Sequence, residues 1–237
     1  MQDFSALVDA YRRRASENRP TAPLSPLAAN LWTTLYPEIV ASLSGIGPED
    51  VDPIDESVES AVRLHVSASP DYEARDPIRV RVGRLTRLYP PKLRNGLLLI
   101  GPTGVGKTVL LRAIAEFHSF GNTGRGFRIV SAREIANAYA DAGEKGISKF
   151  RTGPLGIDDL GTESQTAKSF GTEADPVVDV LLSRYDLFAK TGKPTYGTSN
   201  LTKTEIVDRY GERVSERIFE ICDVYPFVGT SKRYKTA

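Results

Sequence analysis

The chain has 237 residues, of which 40% are hydrophobic and 26% are charged, and its net charge is +1. These values are typical of a globular protein with a substantial core, and they exclude a global basic field that would attract nucleic acid. The single cysteine, Cys222, excludes an internal disulfide and a multi-cysteine zinc site, and the apolar stretch in which it lies predicts a buried structural thiol. Because the sequence has neither a run of about 18 apolar residues nor a basic and apolar leader, we expect a cytoplasmic protein without a membrane partner.

Residues 1–90 contain many prolines and blocks of like charge, and we interpret them as an N-terminal partner-binding region that is partly helical. Apolar side chains at helical spacing predict one helix over residues 4–17 and a second over residues 27–43. The sequence of this region does not identify the partner.

Two segments of opposite charge follow these helices, an acidic one at residues 49–59 and an arginine-rich one at residues 75–94. In the second, Ile78, Val80 and Val82 alternate with arginines, which predicts a strand with one charged face. The arginines could bind phosphates or pair with the acidic segment. The nearly balanced charges favour pairing within the chain.

From residue 91 to residue 237, short apolar runs alternate with amphipathic segments, which is typical of βα units around a parallel sheet. The apolar run Leu97 to Ile100 precedes a glycine loop of the form G-x-x-x-x-G-K-T, and a predicted helix follows at once. In this context the backbone N–H groups of the loop converge on phosphate oxygens, and the helix dipole favours the anion.

The sequence therefore predicts that the loop binds a nucleoside triphosphate, ATP, together with Mg²⁺. Lys107 would neutralise the β- and γ-phosphates, and Thr108 would offer its hydroxyl to the metal. We assign nucleotide binding to the loop and the residue after it: Gly101, Pro102, Thr103, Gly104, Val105, Gly106, Lys107, Thr108 and Val109.

A second apolar run, Leu155 to Leu160, contains paired carboxylates about 50 residues after the loop. One carboxylate at the end of such a strand can hold Mg²⁺ and the next can polarise the attacking water. We assign Asp158 to the metal and Asp159 to the water, while Glu163 is a weaker acidic candidate that we expect to be exposed.

Polar residues with a catalytic interpretation also follow a third predicted strand. Asn200 ends that strand and could contact the attacking water or the γ-phosphate, although Thr-Ser-Asn is also typical of a helix N-cap. Further along, Arg213 and Arg217 lie four residues apart on one helical face. They could stabilise charge on a transferring phosphoryl group, or form surface ion pairs with the neighbouring glutamates.

The order of these motifs resembles the AAA+ ATPase core of bacterial helicase loaders (DnaC-like) and of transposition helper ATPases (IstB-like). The resemblance covers residues 93–237 and rests on GLLLIGPTGVGKT, IDDLGTE, YGTSN, YGERVSERI and GTSKR, in that order. It implies an α/β fold, a P-loop NTPase of AAA+ type with a parallel sheet flanked by helices.

The resemblance also implies roles for four polar residues. Asn200 would be the first sensor, Arg213 the arginine finger acting in trans in a homo-oligomer, and Arg217 an accessory to that finger. Arg233 would be a second sensor that contacts the nucleotide, although Lys232 stands where the family has an aromatic residue. With these roles the expected catalytic residues are Lys107, Asp159, Asn200 and Arg213.

The sequence leaves three functions open. The first is an ATP-dependent loader or remodeller of a replicative helicase, the second a transposition helper that binds duplex DNA and a transposase. The third is a nucleotide-gated binding module with negligible hydrolysis. Single-stranded DNA is a possible ligand, because Lys145, Lys149 and Arg151 lie in a basic, glycine-containing loop around Phe150, which could stack a base. The same residues could instead form a solvated surface loop without a nucleic-acid partner.

Overall fold

A computed structural model describes residues 78–82, 85–89, 96–120, 126–169 and 171–227, together with Pro37 and Ala41 as isolated helical positions. The helix predicted at residues 4–17, most of that at 27–43, the acidic segment and Arg233 lie outside the described residues. The chain divides into two compact units, and the boundary between them falls between Leu93 and Arg94. The partner-binding role of residues 1–90 remains a prediction.

In the first unit, the described residues form an antiparallel hairpin of β1 (Ile78–Val82) and β2 (Leu85–Tyr89). The strand predicted from the alternating arginines is therefore confirmed. The register pairs Val80 with Arg87 and Arg79 with Leu88.

The second unit contains a five-stranded parallel sheet, whose strands are β3 (Gly96–Ile100), β4 (Arg128–Ser131), β5 (Leu155–Leu160), β8 (Thr195–Ser199) and β9 (Cys222–Pro226). The strands lie in the order β4-β5-β8-β3-β9. Every residue of β3 and β8 is buried, as expected for central strands covered on both faces. A separate small hairpin consists of β6 (Ala167–Ser169) and β7 (Thr172–Ala174). The predicted parallel α/β fold is confirmed.

Five helices of this unit connect the strands: α1 (Lys107–Phe120), α2 (Ala132–Ile147), α3 (Pro176–Thr191), α4 (Lys203–Tyr210) and α5 (Glu212–Ile221). Their starts follow ordinary capping chemistry, because Ser131 caps α2, Asp175 caps α3, and Thr202 forms a capping box with Glu205 at α4. In the part of the chain that the structure describes, no helix is long and apolar enough to cross a membrane.

Arg184 is fully buried where β5 and β8 begin, at the end of the sheet opposite the glycine loop. Its guanidinium donates to Thr195 Oγ1 at 2.9 Å, to Pro194 O at 2.8 Å and to Gly153 O. Burial lowers the pKa of Arg184 to about 10, so the side chain stays charged at neutral pH. This buried cation fixes the starts of two strands to α3.

Cys222 is buried at the start of β9, as predicted, and its Sγ donates to Thr195 O at 3.2 Å. Burial raises the pKa of the thiol to about 12, which excludes a nucleophilic role near neutral pH. On the neighbouring strand, a Cβ at Gly96 would lie 1.7 Å from the Thr195 carbonyl oxygen. The central strands can therefore approach this closely only with glycine at position 96.

Candidate active site

The glycine loop joins the end of β3 to the start of α1, as predicted from its flanking residues. Gly106 has φ of +101°, and a Cβ there would find no atom within 4 Å, so the backbone conformation rather than space requires glycine. Gly101 is restricted by space as well, because a Cβ there would lie 2.5 Å from Phe227 O. The loop therefore has the glycine-dependent backbone that a phosphate cradle requires.

Lys107 is the first residue of α1 and is only 5% exposed. Its ammonium donates to Gly101 O at 2.8 Å, to Pro102 O at 2.7 Å and to Asn200 Oδ1 at 2.8 Å. These contacts hold the charge beneath the loop and bring it together with Asn200. Two residues that are 93 positions apart in the sequence thus meet at one end of the sheet.

Thr108 and Asp158 also meet, since Thr108 Oγ1 donates to Asp158 Oδ1 at 3.0 Å. The same carboxylate oxygen accepts a 2.6 Å hydrogen bond from Thr198 Oγ1. Thr198 Oγ1 in turn accepts from the Asp159 backbone N–H at 2.9 Å. One fully buried threonine hydroxyl therefore contacts both members of the acidic pair.

Sequence reasoning missed Thr198. Of the residues at the end of β8, only Asn200, the polar residue that directly follows the strand, was predicted to lie in the site. A usable signal was the Thr-Ser-Asn run itself: β8 pairs in parallel with β5, so a hydroxyl two residues before Asn200 can lie beside the acidic pair.

Asp159 has φ of +56° and is the only non-glycine residue with positive φ among those the structure describes. The pairing of β5 with β8 shifts register between Ile157 and Leu160, around this residue. Thr162 closes the turn by donating to Asp159 O from its N–H at 3.2 Å and its hydroxyl at 2.8 Å. Such a backbone conformation costs about 1–3 kcal/mol and is concentrated at functional sites.

Glu163 is buried, with 6% exposure, and the expectation that it is exposed was wrong. Its carboxylate accepts from Gly161 N–H at 2.9 Å, from Tyr210 Oη at 2.8 Å and from Arg209 Nη2 at 2.7 Å. A carboxylate with three donors can be buried without the penalty of an unpaired charge.

Arg213 is exposed near the start of α5, and its side chain makes no hydrogen bond or ion pair with any residue that the structure describes, including Glu212 and Glu216. Arg217 lies instead with its Cζ 4.9 Å from the centre of the Tyr185 ring. The structure does not bring Arg213 into the cluster around Lys107 and Asp158. Arg233 lies outside the described residues.

The basic segment around Phe150 differs from the expected loop. The α2 helix continues to Ile147 through a kink at Gly143, and a short 3-10 helix covers Ser148–Phe150. Phe150 is 0% exposed, so the expectation that it could stack a base was wrong. Its ring fills the core, and the Arg128 and Lys149 cations lie 4.8 and 4.9 Å from its centre.

The donor set around the loop fits a nucleoside triphosphate and Mg²⁺. Lys107 supplies a cation, while the Thr108 hydroxyl and the Asp158 carboxylate supply the oxygen ligands that Mg²⁺ prefers. The described part of the chain contains no group of three or more His, Cys, Asp or Glu that could hold a metal ion. Mg²⁺ is commonly held by one or two protein oxygens together with substrate phosphates, and Thr108 and Asp158 suit such a site.

Comparisons with known proteins agree with this geometry. Residues 97–218 match the family model described as the ATPase family associated with various cellular activities, AAA. A segment of 64 residues is 42% identical to the peroxisomal ATPase PEX1 of Dictyostelium discoideum, and the match covers 27% of this chain but only 5% of that protein.

Solved structures share the fold. The chain is similar to DnaI with a TM-score of 0.55 and 24% identity over 78% of this chain and 89% of that one. It is also similar to the DnaC helicase loader, with a TM-score of 0.52 and 17% identity over 76% and 95% of the two chains. Because the family model spans more than half of its 237 residues, the chain belongs to the AAA family of ATPases, as the order of its motifs predicted.

Proposed function

We propose that this ATPase hydrolyses ATP at a site shared between two copies of the chain, and that turnover serves to load or remodel a replicative helicase on single-stranded DNA. The proposal of an intersubunit site rests on the separation of Arg213 from the other predicted catalytic residues. The Lys107, Asp158 and Asn200 cluster lies at the loop, whereas Arg213 is exposed without a partner among the described residues.

Within one subunit, Lys107 would bind the β- and γ-phosphates, and Thr108 with Asp158 would hold Mg²⁺. The metal would neutralise phosphate charge and so favour attack on the γ-phosphorus. Asp159 would polarise the attacking water, and Asn200 would orient it. The backbone of Asp159 is held by Thr198 and Thr162, so its carboxylate can be preorganised before the substrate arrives.

From the neighbouring subunit, Arg213 would stabilise the charge that develops on the transferring phosphoryl group. An arginine finger of this kind is worth about 10³–10⁵ in turnover. Hydrolysis should therefore require a homo-oligomer and should depend on protein concentration. Arg217 is the proposed accessory to this arginine. Because Arg217 packs against Tyr185, its contribution would be to stabilise α5 and not to contact the nucleotide.

A mixing experiment tests the intersubunit site. We expect Arg213→Ala and Asp159→Asn chains each to lose about 100-fold or more in kcat, because each removes half of the shared site. Mixed in equal amounts, they should recover up to about a quarter of the wild-type rate, since one interface in four then combines two intact halves. No recovery, with assembly intact by light scattering, would contradict a finger acting in trans.

The helicase role is supported by the motif order and by the fold that the chain shares with DnaI and the DnaC helicase loader. Binding of a hexameric replicative helicase together with stimulation by single-stranded DNA would agree with the proposal. ATPase activity that responds to duplex DNA, without affinity for helicase, would instead identify a transposition helper. Tight nucleotide binding without turnover would identify a nucleotide-gated binding module.

A further inference from the structure

Glu163 lies at the centre of a buried hydrogen-bonded network that the mechanism above does not use. Its side chain is 0% exposed, and Oε1 accepts from both Tyr210 Oη at 2.8 Å and Arg209 Nη2 at 2.7 Å. Arg209 Nη1 donates at 2.8 Å to Asp175, the residue that caps α3. The network therefore joins three separate parts of the fold: the turn after β5, the start of α3 and the end of α4.

The charges of the network keep its members in fixed roles. Burial raises the pKa of the Tyr210 phenol, and the charge of Glu163 and the hydrogen bond to it raise it further, so the phenol remains a donor. Burial acts to lower the pKa of Arg209, but the carboxylates of Asp175 and Glu163 outweigh it, so its pKa is raised. Tyr210 and Arg209 thus both remain hydrogen-bond donors to Glu163.

At one end, the network is tied to the acidic pair. The Gly161 N–H donates to Glu163 Oε2 at 2.9 Å within the same turn whose Thr162 donates twice to Asp159 O. Only four positions separate Glu163 from Asp159. Glu163 and Asp159 therefore share one turn, but the Asp159 backbone is also held by Thr198 and Thr162, through hydrogen bonds that do not involve Glu163.

At the other end, the network is tied to the proposed finger. Tyr210 is the last residue of α4, and Gly211, with φ of +80°, turns the chain into α5, which carries Arg213. Ser215 locks this corner because its N–H donates to Gly211 O at 3.1 Å and its hydroxyl to Ile206 O at 3.2 Å. These bonds fix α4 and α5 to each other at the corner, and Glu163 contacts the corner through Arg209 and Tyr210.

We propose that Glu163 is a positioning residue that links the acidic turn of one subunit to the Arg213 that this subunit gives to its neighbour. The inference rests on the proposed role of Arg213 in trans. In an oligomer such a link would make the arginine position at one interface depend on the state of the site at the next. Glu163 would then act on the neighbour's turnover more strongly than on its own.

The mixing experiment can separate these two effects. Glu163→Gln keeps the size of the side chain and removes its charge. In one mixture it is added to the Asp159→Asn chain, which has an intact Arg213 and is the arginine-giving chain. In the other it is added to the Arg213→Ala chain, which has an intact Asp159 and is the site-giving chain. In the arginine-giving chain we expect it to lower the recovered kcat about tenfold with KM for ATP unchanged. In the site-giving chain the loss should be less than half as large on a logarithmic scale.

Two further variants control this comparison. Glu173→Gln changes an exposed glutamate of β7, whose side chain makes a 3.8 Å ion pair with Lys168 and no hydrogen bond or ion pair with the network, and it should leave the recovered rate unchanged in either chain. Tyr210→Phe keeps the buried ring and the Arg209 to Glu163 ion pair, so it tests the network without loss of charge. It should give a smaller loss with the same dependence on which chain carries it.

The outcomes are distinct. A greater loss from the arginine-giving chain, in Glu163→Gln or in Tyr210→Phe where the first does not fold, supports the proposal. Equal losses from the two chains, or a greater loss from the site-giving chain, would overturn it. If the parental mixture of Arg213→Ala and Asp159→Asn recovers nothing, the intersubunit function fails instead.

Discussion

The hydroxyl of Thr198 combines two tasks that metal sites usually divide between groups. It donates to Asp158 Oδ1 at 2.6 Å and accepts from the Asp159 N–H at 2.9 Å. The first contact orients the proposed metal ligand, and the second satisfies the backbone of a residue with φ of +56°. Outer groups of this kind commonly matter for metal affinity and activity nearly as much as the ligands themselves.

Thr198→Val tests this role, since valine has the shape and β-branching of threonine but neither donates nor accepts. We expect kcat to fall about 10–100-fold and the Mg²⁺ requirement to rise, because Asp158 loses a donor and the Asp159 N–H loses its acceptor. Thr198→Ser keeps the hydroxyl and should stay within about threefold of wild type. Steady-state ATP turnover against Mg²⁺ concentration measures both. Equal rates for the valine and serine variants would contradict the assignment.

The site residues that could be predicted from the sequence are those whose roles follow from the residues next to them in the chain. The loop is bounded by its own strand and helix, and the acidic pair ends an apolar run, so both are visible without the fold. Thr198, Glu163 and Arg184 are polar residues, and each has at least one partner that lies 31 to 47 positions away in the sequence. No local spacing distinguishes a polar residue that folds inward from one that remains solvated.

At the scale of elements, the central strands depend on one close approach. Gly96 opens β3, and a Cβ there would lie 1.7 Å from the Thr195 carbonyl oxygen of β8. Real Cβ atoms do not come this close to an oxygen, so any larger residue must push the two strands apart. Because β3 leads into the glycine loop and β8 carries Thr198, their separation also matters for the site.

We expect Gly96→Ala to lower the free energy of unfolding by about 3 kcal/mol, since overpacking a rigid backbone contact forces the sheet to shift. Urea denaturation followed by far-UV circular dichroism measures this loss. Lys193→Ala, at an exposed position just before β8, should change the stability by less than about 0.5 kcal/mol. A Gly96→Ala protein as stable as the Lys193→Ala protein would mean that the strands can part at no cost.

The buried parallel strands were predicted correctly, because in a protein of this composition a short apolar run bounded by glycines usually forms a buried strand. The segment around Phe150 was misjudged because Gly143 and Gly146 indicate a loop by composition. In the fold, Gly143 forms a kink, and a Cβ at Gly146 would lie 1.9 Å from Ala138 O. Here glycine allows close packing of helical segments, which only the tertiary structure can reveal.

For the whole molecule, the sheet connects the nucleotide site to the single cysteine of the chain. Cys222 pairs with Gly96 in the register of β9 and β3, and β3 continues directly into the phosphate loop. Around the loop, the Gly101 N–H donates to Ser199 O at 3.1 Å and the Phe227 N–H donates to Ile100 O at 2.6 Å. Opening of the sheet far enough to expose Cys222 should therefore disrupt the nucleotide site as well.

Alkylation of Cys222 should consequently report nucleotide binding by the ATPase unit. The thiol is buried and its pKa is about 12, so iodoacetamide at pH 8 reacts only after the sheet opens. In the Asp159→Asn chain, which should bind ATP without consuming it, Mg²⁺ and ATP at about 100 times Kd should stabilise the folded unit by about 2.7 kcal/mol. Labelling should then slow about 100-fold, provided that reclosing outpaces alkylation.

The control adds Lys107→Ala to the same chain, because this change removes the ammonium that we assign to the phosphates while leaving Cys222 in place. The double variant should be labelled at the same rate with and without ATP, and mass spectrometry of the quenched samples gives both rates. Protection that survives Lys107→Ala would place the nucleotide elsewhere. If ATP leaves labelling unchanged in the Asp159→Asn chain, while a filter assay shows that nucleotide is bound, β9 must open by itself. Cys222 would then report the fraying of an edge strand instead of the unfolding of the nucleotide site.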